Sequence, residues 1–322
     1  MNIGRWVLRI GLVLFIILFI LPFLIPLPEV GADPRTLADT NGRFIEVNGL
    51  STYYQEAGPA DGRAVILLHG FGGSTVSWRE NLNALAEAGY RVIAYDRPNF
   101  GLTEKRLETD VSAPAQARFA VALMDALNIQ SAVLVGHSAG GAVISYFALE
   151  YPERVNGLVY VAGAVGSARG APDGISDALM FPPFTRWFRI GARALLTPER
   201  YTSILESAYG AEYVVTSEVA EGYGRVLQSR NWDVGFVGII RDSSRNIFPI
   251  ERLAEITQPS LLIWGREDTW VPLEAGERLA AALENASLIV YDDTGHLPME
   301  ERPQQFNTDL VACLDALASS GR

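Results

Sequence analysis

Short runs of consecutive apolar residues alternate, along most of this chain, with stretches in which apolar residues recur every three to four positions. Positions 64–68 (Ala-Val-Ile-Leu-Leu), 91–95, 132–135, 158–161, 261–264 and 288–290 are of the first kind. Runs this short and this uniformly apolar predict strands covered on both faces. Between them, Leu82, Leu85, Ala86 and Ala88 predict a helix stopped by Gly89, and helical spacing continues at 119–127, 141–148, 278–283 and 306–317. Near the start, 43–47 and 50–55 flank Asn48-Gly49, a strong two-residue hairpin signal. The fold class that follows is α/β: a mostly parallel central sheet, opened by an antiparallel hairpin, with helices on both faces.

Two regions break the alternation. From about 166 to 248 no buried strand is expected. The stretch is dense in aromatics (Phe181, Phe184, Trp187, Tyr201, Tyr223, Trp232 among them), and Pro172, Pro182, Pro183 and Pro198 cut it into short helices. It reads as a helical insertion over the carboxyl ends of the strands, its aromatics mostly forming its own small core. The other region is the first 32 residues. Arg5 and Arg9 precede Ile10 to Leu21, which carries no polar side chain, and Pro22, Pro26 and Pro28 close the apolar stretch. Trp6 to Leu27 supplies about the ~20 residues a membrane-crossing helix needs, more than the ~7–15 of a signal-peptide core. An uncleaved anchor is the favoured reading; cleavage near Val30-Gly31-Ala32, giving a secreted protein, is the alternative. Basic residues before the segment and Glu29, Asp33 and Asp39 after it place the remaining chain on the non-cytoplasmic side. The organisation expected is therefore 1–32 anchor or signal, 33–165 first part of the core, 166–248 cap, and 249–322 second part of the core.

Composition narrows the partners. Thirty-seven acidic against 26 basic residues give a formal charge of −11, which leaves no basic surface for nucleic acid. Cys313 is the only cysteine, so no intramolecular disulfide forms; it reads as a small hydrophobe on the terminal helix. Three dispersed histidines and no cysteine pair offer no metal site. No cofactor is expected.

The chemistry centres on Gly136-His137-Ser138-Ala139-Gly140, between the 132–135 run and a small-residue helical pattern. A serine on a sharp strand-to-helix turn needs near-zero side chains two residues before and after it, and Gly136 and Gly140 supply them. A serine hydroxyl also needs a base, a group that orients the base, and donors for an oxyanion. Of the three histidines, His137 is expected to leave the opposite side of the turn, and His69 sits early at a strand end. His296, in a loop before the last helix, remains as the base. The acid is expected after the 261–264 strand. Asp268 is preferred to Glu267, which follows Arg266 and can pair with it on the surface; Asp292 and Asp293 read as turn residues. The N–H groups of Ala139 and Phe71 are the candidate oxyanion donors. A rival reading takes Gly70-Phe71-Gly72 and Asp96 as a dinucleotide site, but Thr75 stands where its third glycine belongs.

With these segments in order, the chain resembles the α/β-hydrolase fold superfamily from about residue 40 onward. His69 to Ser74 looks like its oxyanion loop, and Asp96 to Gly101 like its D-x-P-G-x-G turn, with Asn99 in place of glycine. Residues 136–140 look like the nucleophile elbow, 264–268 and 295–298 like the acid and histidine segments, and 166–248 like the cap. Relatives that open epoxides or remove halide carry an aspartate at the elbow, so Ser138 implies acyl chemistry. The resemblance implies a serine hydrolase acting on a carboxylic ester or similar small, apolar acyl substrate. The alternatives it leaves open are a carbon–carbon bond hydrolase of ring-fission products, a cofactor-free perhydrolase, and a slow-turnover ligand receptor.

Overall fold

In a computed structural model of the chain, which describes residues 3–166, 175–245 and 247–320, eight strands form one sheet. They are β1 (Gly42–Val47), β2 (Leu50–Ala57), β3 (Ala64–Leu68), β4 (Arg91–Tyr95), β5 (Ala132–His137), β6 (Val155–Val161), β7 (Ser260–Gly265) and β8 (Ala286–Tyr291). Their order is β1-β2-β4-β3-β5-β6-β7-β8; β1–β2 and β2–β4 pair antiparallel, and every later pair is parallel. The opening hairpin turns through Asn48 and Gly49, with φ of 48° and 75°, the pair of positive values that a right-twisted two-residue turn requires.

The central strands read as continuous apolar runs because both of their faces are covered. Ile66, Leu68 and Leu134 point into one apolar layer, and Val65, Leu67, Val133 and Val135 into the other. The flanking helices include Ala113–Ala126, Gly140–Glu150, Leu273–Ala282 and Pro303–Ser320. The second of these expected helices begins six residues earlier than 119, because Pro114 pre-sets the first turn without contributing to the apolar period. Cys313, on the last helix, packs partly buried against the second apolar layer, and burial raises its thiol pKa.

Between β6 and β7 the chain leaves the sheet. Helices Ile175–Met180, Pro182–Leu195, Pro198–Glu206, Ser217–Gln228 and Trp232–Asp242 make up the helical insertion. Pro172 and its neighbours at 167–174 lie outside the described residues. At the other end, Ile3–Phe15 is helical, Ile16–Ile20 widens to a π-helical turn, and Leu21–Leu24 closes the segment. Gly4–Leu24 is long and apolar enough to cross a membrane, and its side chains, such as Leu8, Leu14 and Leu24, are exposed. The segment after it joins the insertion: Ala32 N–H donates to Gln228 O, and Arg230 and Asn231 N–H groups donate to Ala32 O and Val30 O.

Parallel register is what assembles the site. β3 and β5 align Leu68 with Gly136, so the 69–74 loop and Ser138 emerge side by side. β7 and β8 align Gly265 with Tyr291, so Asp268 and His296 follow in adjacent loops at the same edge.

Candidate active site

Ser138 sits at the turn between β5 and the Gly140–Glu150 helix with φ of +49°, a left-handed backbone that costs a non-glycine residue about 1–2 kcal/mol. Three hydrogen bonds hold it there: Ser138 N–H donates to Val161 O at 2.9 Å, and Ser138 O accepts from Gly141 and Ala164 N–H at 2.8 Å each. The two glycines are obligatory. A Cβ on Gly136 would lie 2.7 Å from Gly140 O, and one on Gly140 would lie 2.8 Å from Leu68 O. Gly70 brings the preceding loop against the turn, since a Cβ there would fall 2.9 Å from the Ser138 Cβ.

The structure brings Asp268 and His296 together. Asp268 Oδ2 accepts from His296 Nδ1 at 2.7 Å, and both side chains are buried. Asp268 Oδ1 accepts the N–H groups of Trp270 and Val271 at 2.8 Å each, so the carboxylate is pinned on both oxygens. Donation through Nδ1 leaves His296 Nε2 as the basic nitrogen, and this atom is buried with no hydrogen-bond partner, Ser138 included. The Phe71 and Ala139 N–H groups likewise donate no hydrogen bond among the described residues. Phe71 is exposed and lines the same cavity as His296.

Two expectations are corrected, those for His137 and Glu267, and Asp96 bears out the rejection of a dinucleotide site. His137 does not turn away from the site: its Nε2 donates to His296 O at 2.9 Å, and the two rings stand 4.8 Å apart. Burial, followed by the neighbouring His296, lowers its pKa well below the usual imidazole range, so it is neutral. Glu267 is not the partner of Arg266, which pairs with Asp292; Glu267 instead accepts from Ala211 N–H at 3.2 Å. Asp96 is committed to its own loops, accepting Thr75 and Leu102 N–H at 2.6 Å each, and is fully buried, which leaves no free carboxylate for a ribose. Asn99, in the same turn, adopts φ of +69°, as asparagine tolerates in place of glycine.

Two carboxylates unread in the sequence support the histidine loop. Glu301 accepts from Gly295 N–H at 2.9 Å and Leu297 N–H at 3.1 Å, the residues on either side of His296, and from Gly210 N–H of the insertion at 2.9 Å. His296 N–H donates to Ala208 O at 2.7 Å. Glu300 is fully buried and accepts from Arg79 and Tyr209 at 2.7 Å each and from Tyr223, whose hydroxyl also lies 2.9 Å from Ser77 Oγ. Burial raises the Glu300 pKa against the opposing pull of Arg79. Tyr209 and Tyr223 belong to the insertion, so this carboxylate fastens it to the core. The sequence signal was present: two consecutive acidic residues shortly after a loop histidine, at the start of a helix.

These elements enclose a cavity of about 240 Å³. Leu196, Ile204, Leu227, Trp232 and Phe236 of the insertion form its apolar roof, and Phe71, Phe100 and His296 its floor. Lys105 is the one cationic side chain among the described lining residues; its ammonium donates to Gly101 O and Ser229 Oγ, and burial pushes its pKa down.

A strand-borne serine elbow beside an aspartate–histidine pair, at the carboxyl edge of an eight-stranded sheet, defines an α/β hydrolase. The family model for the alpha/beta hydrolase fold matches residues 63–303, and the chain belongs to that family and is a hydrolase. It is 33% identical over 268 residues to a 2-hydroxy-6-oxononadienedioate/2-hydroxy-6-oxononatrienedioate hydrolase of Paraburkholderia phymatum, covering 81% of this chain and 90% of that one. A meta-cleavage product hydrolase from Pseudomonas fluorescens IP01 superposes with a TM-score of 0.71 at 27% identity, covering 85% of this chain and 98% of the other. A bacterial membrane phospholipase A shares the fold at a TM-score of 0.71 and 23% identity, over 98% of this chain and 99% of the other.

Proposed function

We propose that the protein hydrolyses a carboxylic ester, or a similar acyl substrate with an apolar body, through an acyl-enzyme on Ser138. His296 Nε2 takes the Ser138 proton as Oγ attacks the acyl carbon, and Asp268 holds the imidazole in the tautomer that makes this possible. The N–H groups of Phe71 and Ala139 receive the oxyanion. The proton then passes to the leaving alkoxide; water, deprotonated by the same histidine, releases the acid and restores Ser138. The observation that carries this reading is the buried Asp268–His296 bond, which leaves a partner-free Nε2 in a loop beside the serine elbow. Hydrogen bonds from base to nucleophile commonly tighten only with substrate bound, so the open Ser138–His296 contact fits a resting enzyme.

Relatives that carry the names of dienoate hydrolases favour a second reading, cleavage of a carbon–carbon bond in a ring-fission product. Such substrates are carboxylates. Among the described lining residues the one cation available to them is Lys105, which is already engaged and whose charge burial disfavours. The apolar lining therefore favours a neutral acyl group. A panel of p-nitrophenyl esters from acetate to dodecanoate, with a 2-hydroxy-6-oxo-dienoate and a lactone, tests this. Ester turnover well above dienoate turnover is expected; the reverse order overturns the ester reading.

We read residues 3–24 as a retained membrane anchor with the hydrolase on the non-cytoplasmic side. Hydrogen bonds from the insertion to the segment that follows support retention, since a removed signal has no need of them. The intact mass of the membrane-extracted protein tests it: loss of the first 32 residues would overturn it.

A further inference from the structure

We propose that the Pro182–Leu195 helix of the insertion is itself embedded in lipid, lying within the outer hydrocarbon of the bilayer beside the N-terminal helix. The inference rests on reading residues 3–24 as a membrane anchor.

The prolines of the N-terminal segment create the need for it. Leu21 N–H donates to Ile16 O, five residues back, in the π-helical turn. In that register the donor for Ile17 O would be residue 22, which is proline and has no N–H. Four residues beyond Pro22 stands Pro26, which likewise has no N–H to offer Pro22 O. In water such carbonyls would be solvated; in hydrocarbon they must be paired by protein. One helix supplies donors to both of these carbonyls and to two more beyond them. Trp187 Nε1 donates to Ile17 O at 3.2 Å, Arg186 donates to Pro22 O at 2.8 Å and to Ile25 O at 2.7 Å, and Arg193 donates to Pro28 O at 2.9 Å. Phe19 packs against Phe181 and Phe184, with each pair of ring centroids 6.1 Å apart.

Length then fixes the depth. The 21 residues Gly4–Leu24 span about 31 Å at ~1.5 Å per residue, which matches a hydrocarbon core of about 30 Å with nothing to spare. Ile17 lies seven residues inside Leu24, about 10 Å below the boundary. The Trp187 indole bonded to it must share that depth, and Phe181 and Phe184 follow through Phe19. The helix is equipped for this. Apolar side chains flank it at both ends: Met180 and Phe181, immediately before it, and Leu195, its last residue, are 47%, 48% and 59% exposed, surface unfavourable in water and at home in lipid. Its cations are all engaged: Arg189 and Arg193 share the buried Asp233, at 2.8 and 2.9 Å, and Arg186 donates to two carbonyls. Leu196, the next residue, lines the cavity, so embedding this helix brings the cavity within reach of an apolar substrate dissolved in the membrane.

The test uses the full chain with Cys313→Ala, reconstituted in phosphatidylcholine nanodiscs, with single cysteines carrying an NBD fluorophore. Phe181→Cys reports the insertion, Val13→Cys the anchor, and Asp61→Cys the exposed loop before β3, at the opposite end of the sheet. Lipids bearing a doxyl group on the acyl chain should quench the label at 181 at least threefold more than at 61, and at least half as much as at 13. Quenching at 13 with the 181 label no more quenched than the 61 label overturns the embedded helix and leaves the anchor standing. Absence of quenching at 13 overturns the anchor, and the proposal with it. Met180→Cys reports the same surface should Phe181→Cys fail to fold.

Discussion

His137 donates its Nε2–H to the main-chain carbonyl of His296 at 2.9 Å, joining the residue before the elbow serine to the loop that carries the base. The bond crosses from the end of β5 to the loop after β8, so it sets the distance between two elements that chain connectivity leaves independent. His137→Phe keeps a ring of similar size and removes the donor, leaving a buried carbonyl unpaired at a cost of about 1–3 kcal/mol. Melting temperature should fall accordingly, and kcat on a good ester should drop about tenfold while Ser138 still reacts with a fluorophosphonate. An unchanged kcat would show that the bond does not position His296.

Asp268 and Glu267 are adjacent in sequence and unlike in place. Asp268 is buried against His296, whereas Glu267 faces the insertion and accepts from Ala211 N–H. Asp268→Asn should lower kcat by roughly 10³–10⁴-fold, because an amide in that position favours the wrong imidazole tautomer. Glu267→Gln should turn over within about threefold of the parent, as expected for a surface change that leaves the tautomer alone. Ester kinetics on both variants decide it; the opposite ranking would move the acid by one residue.

Most of the sheet was legible because its strands are buried on both faces, and such strands announce themselves as apolar runs without reference to any partner. The elbow was legible because the turn's tightness is local, Gly136 being forced by the Gly140 backbone four residues on, whereas the close approach of Leu68 O that forces Gly140 comes from β3 and appears only in the fold. The direction of His137 is not legible in sequence because it depends on where the β8 loop arrives, 159 residues later, and no local rule carries that. The roles of Glu300 and Glu301 are hidden in sequence for a similar reason. Acidic residues at a helix start usually face solvent, and it is the return of the insertion over Tyr209, Gly210 and Tyr223 that covers Glu300 and engages the half-buried Glu301. The prolines at 22, 26 and 28 mark an ending in the sequence, and their consequence for unpaired carbonyls appears only beside the Pro182–Leu195 helix.

Glu301 holds three amides, two of them flanking His296. Glu301→Ala strands all three and should destabilise the fold by about 3 kcal/mol, at about 1 kcal/mol per lost partner. Glu301→Gln keeps an acceptor oxygen and should recover much of that loss. If Glu301 positions the base, the alanine variant should lose kcat more than it raises KM, and glutamine should rescue kcat in parallel. A loss of stability with kcat preserved would make the residue purely structural.

His69 gives a pH signature of known sign. It is buried, with Nδ1 donating to Gly70 O at 2.8 Å and Nε2 accepting Arg97 N–H at 3.1 Å. Burial, then the charge of Arg97, holds its pKa well below the ordinary imidazole value. The folded state therefore binds fewer protons than the unfolded chain below about pH 6.5, and this contribution to stability, complete above that pH, is lost as pH falls. The raised pKa values of Asp96, Glu300 and Glu301 act in the opposite direction, so the comparison must be with a variant. His69→Gln should be less stable than the parent at pH 8, and the gap should narrow by up to about 1.4 kcal/mol per pH unit below 6.5. Denaturant melts at pH 8 and pH 5.5 measure it; a constant gap would mean that folding leaves the His69 pKa unshifted, and a widening gap that the fold favours its protonated form.

The central claim is that Ser138 is the nucleophile. The most direct measurement is covalent labelling with a fluorophosphonate, followed by mass spectrometry of the peptide that contains residues 132–148. One phosphonyl adduct on Ser138 is expected in the parent, and no adduct in a folded Ser138→Ala protein. Labelling that persists in Ser138→Ala, or maps to another residue in the parent, would contradict the account.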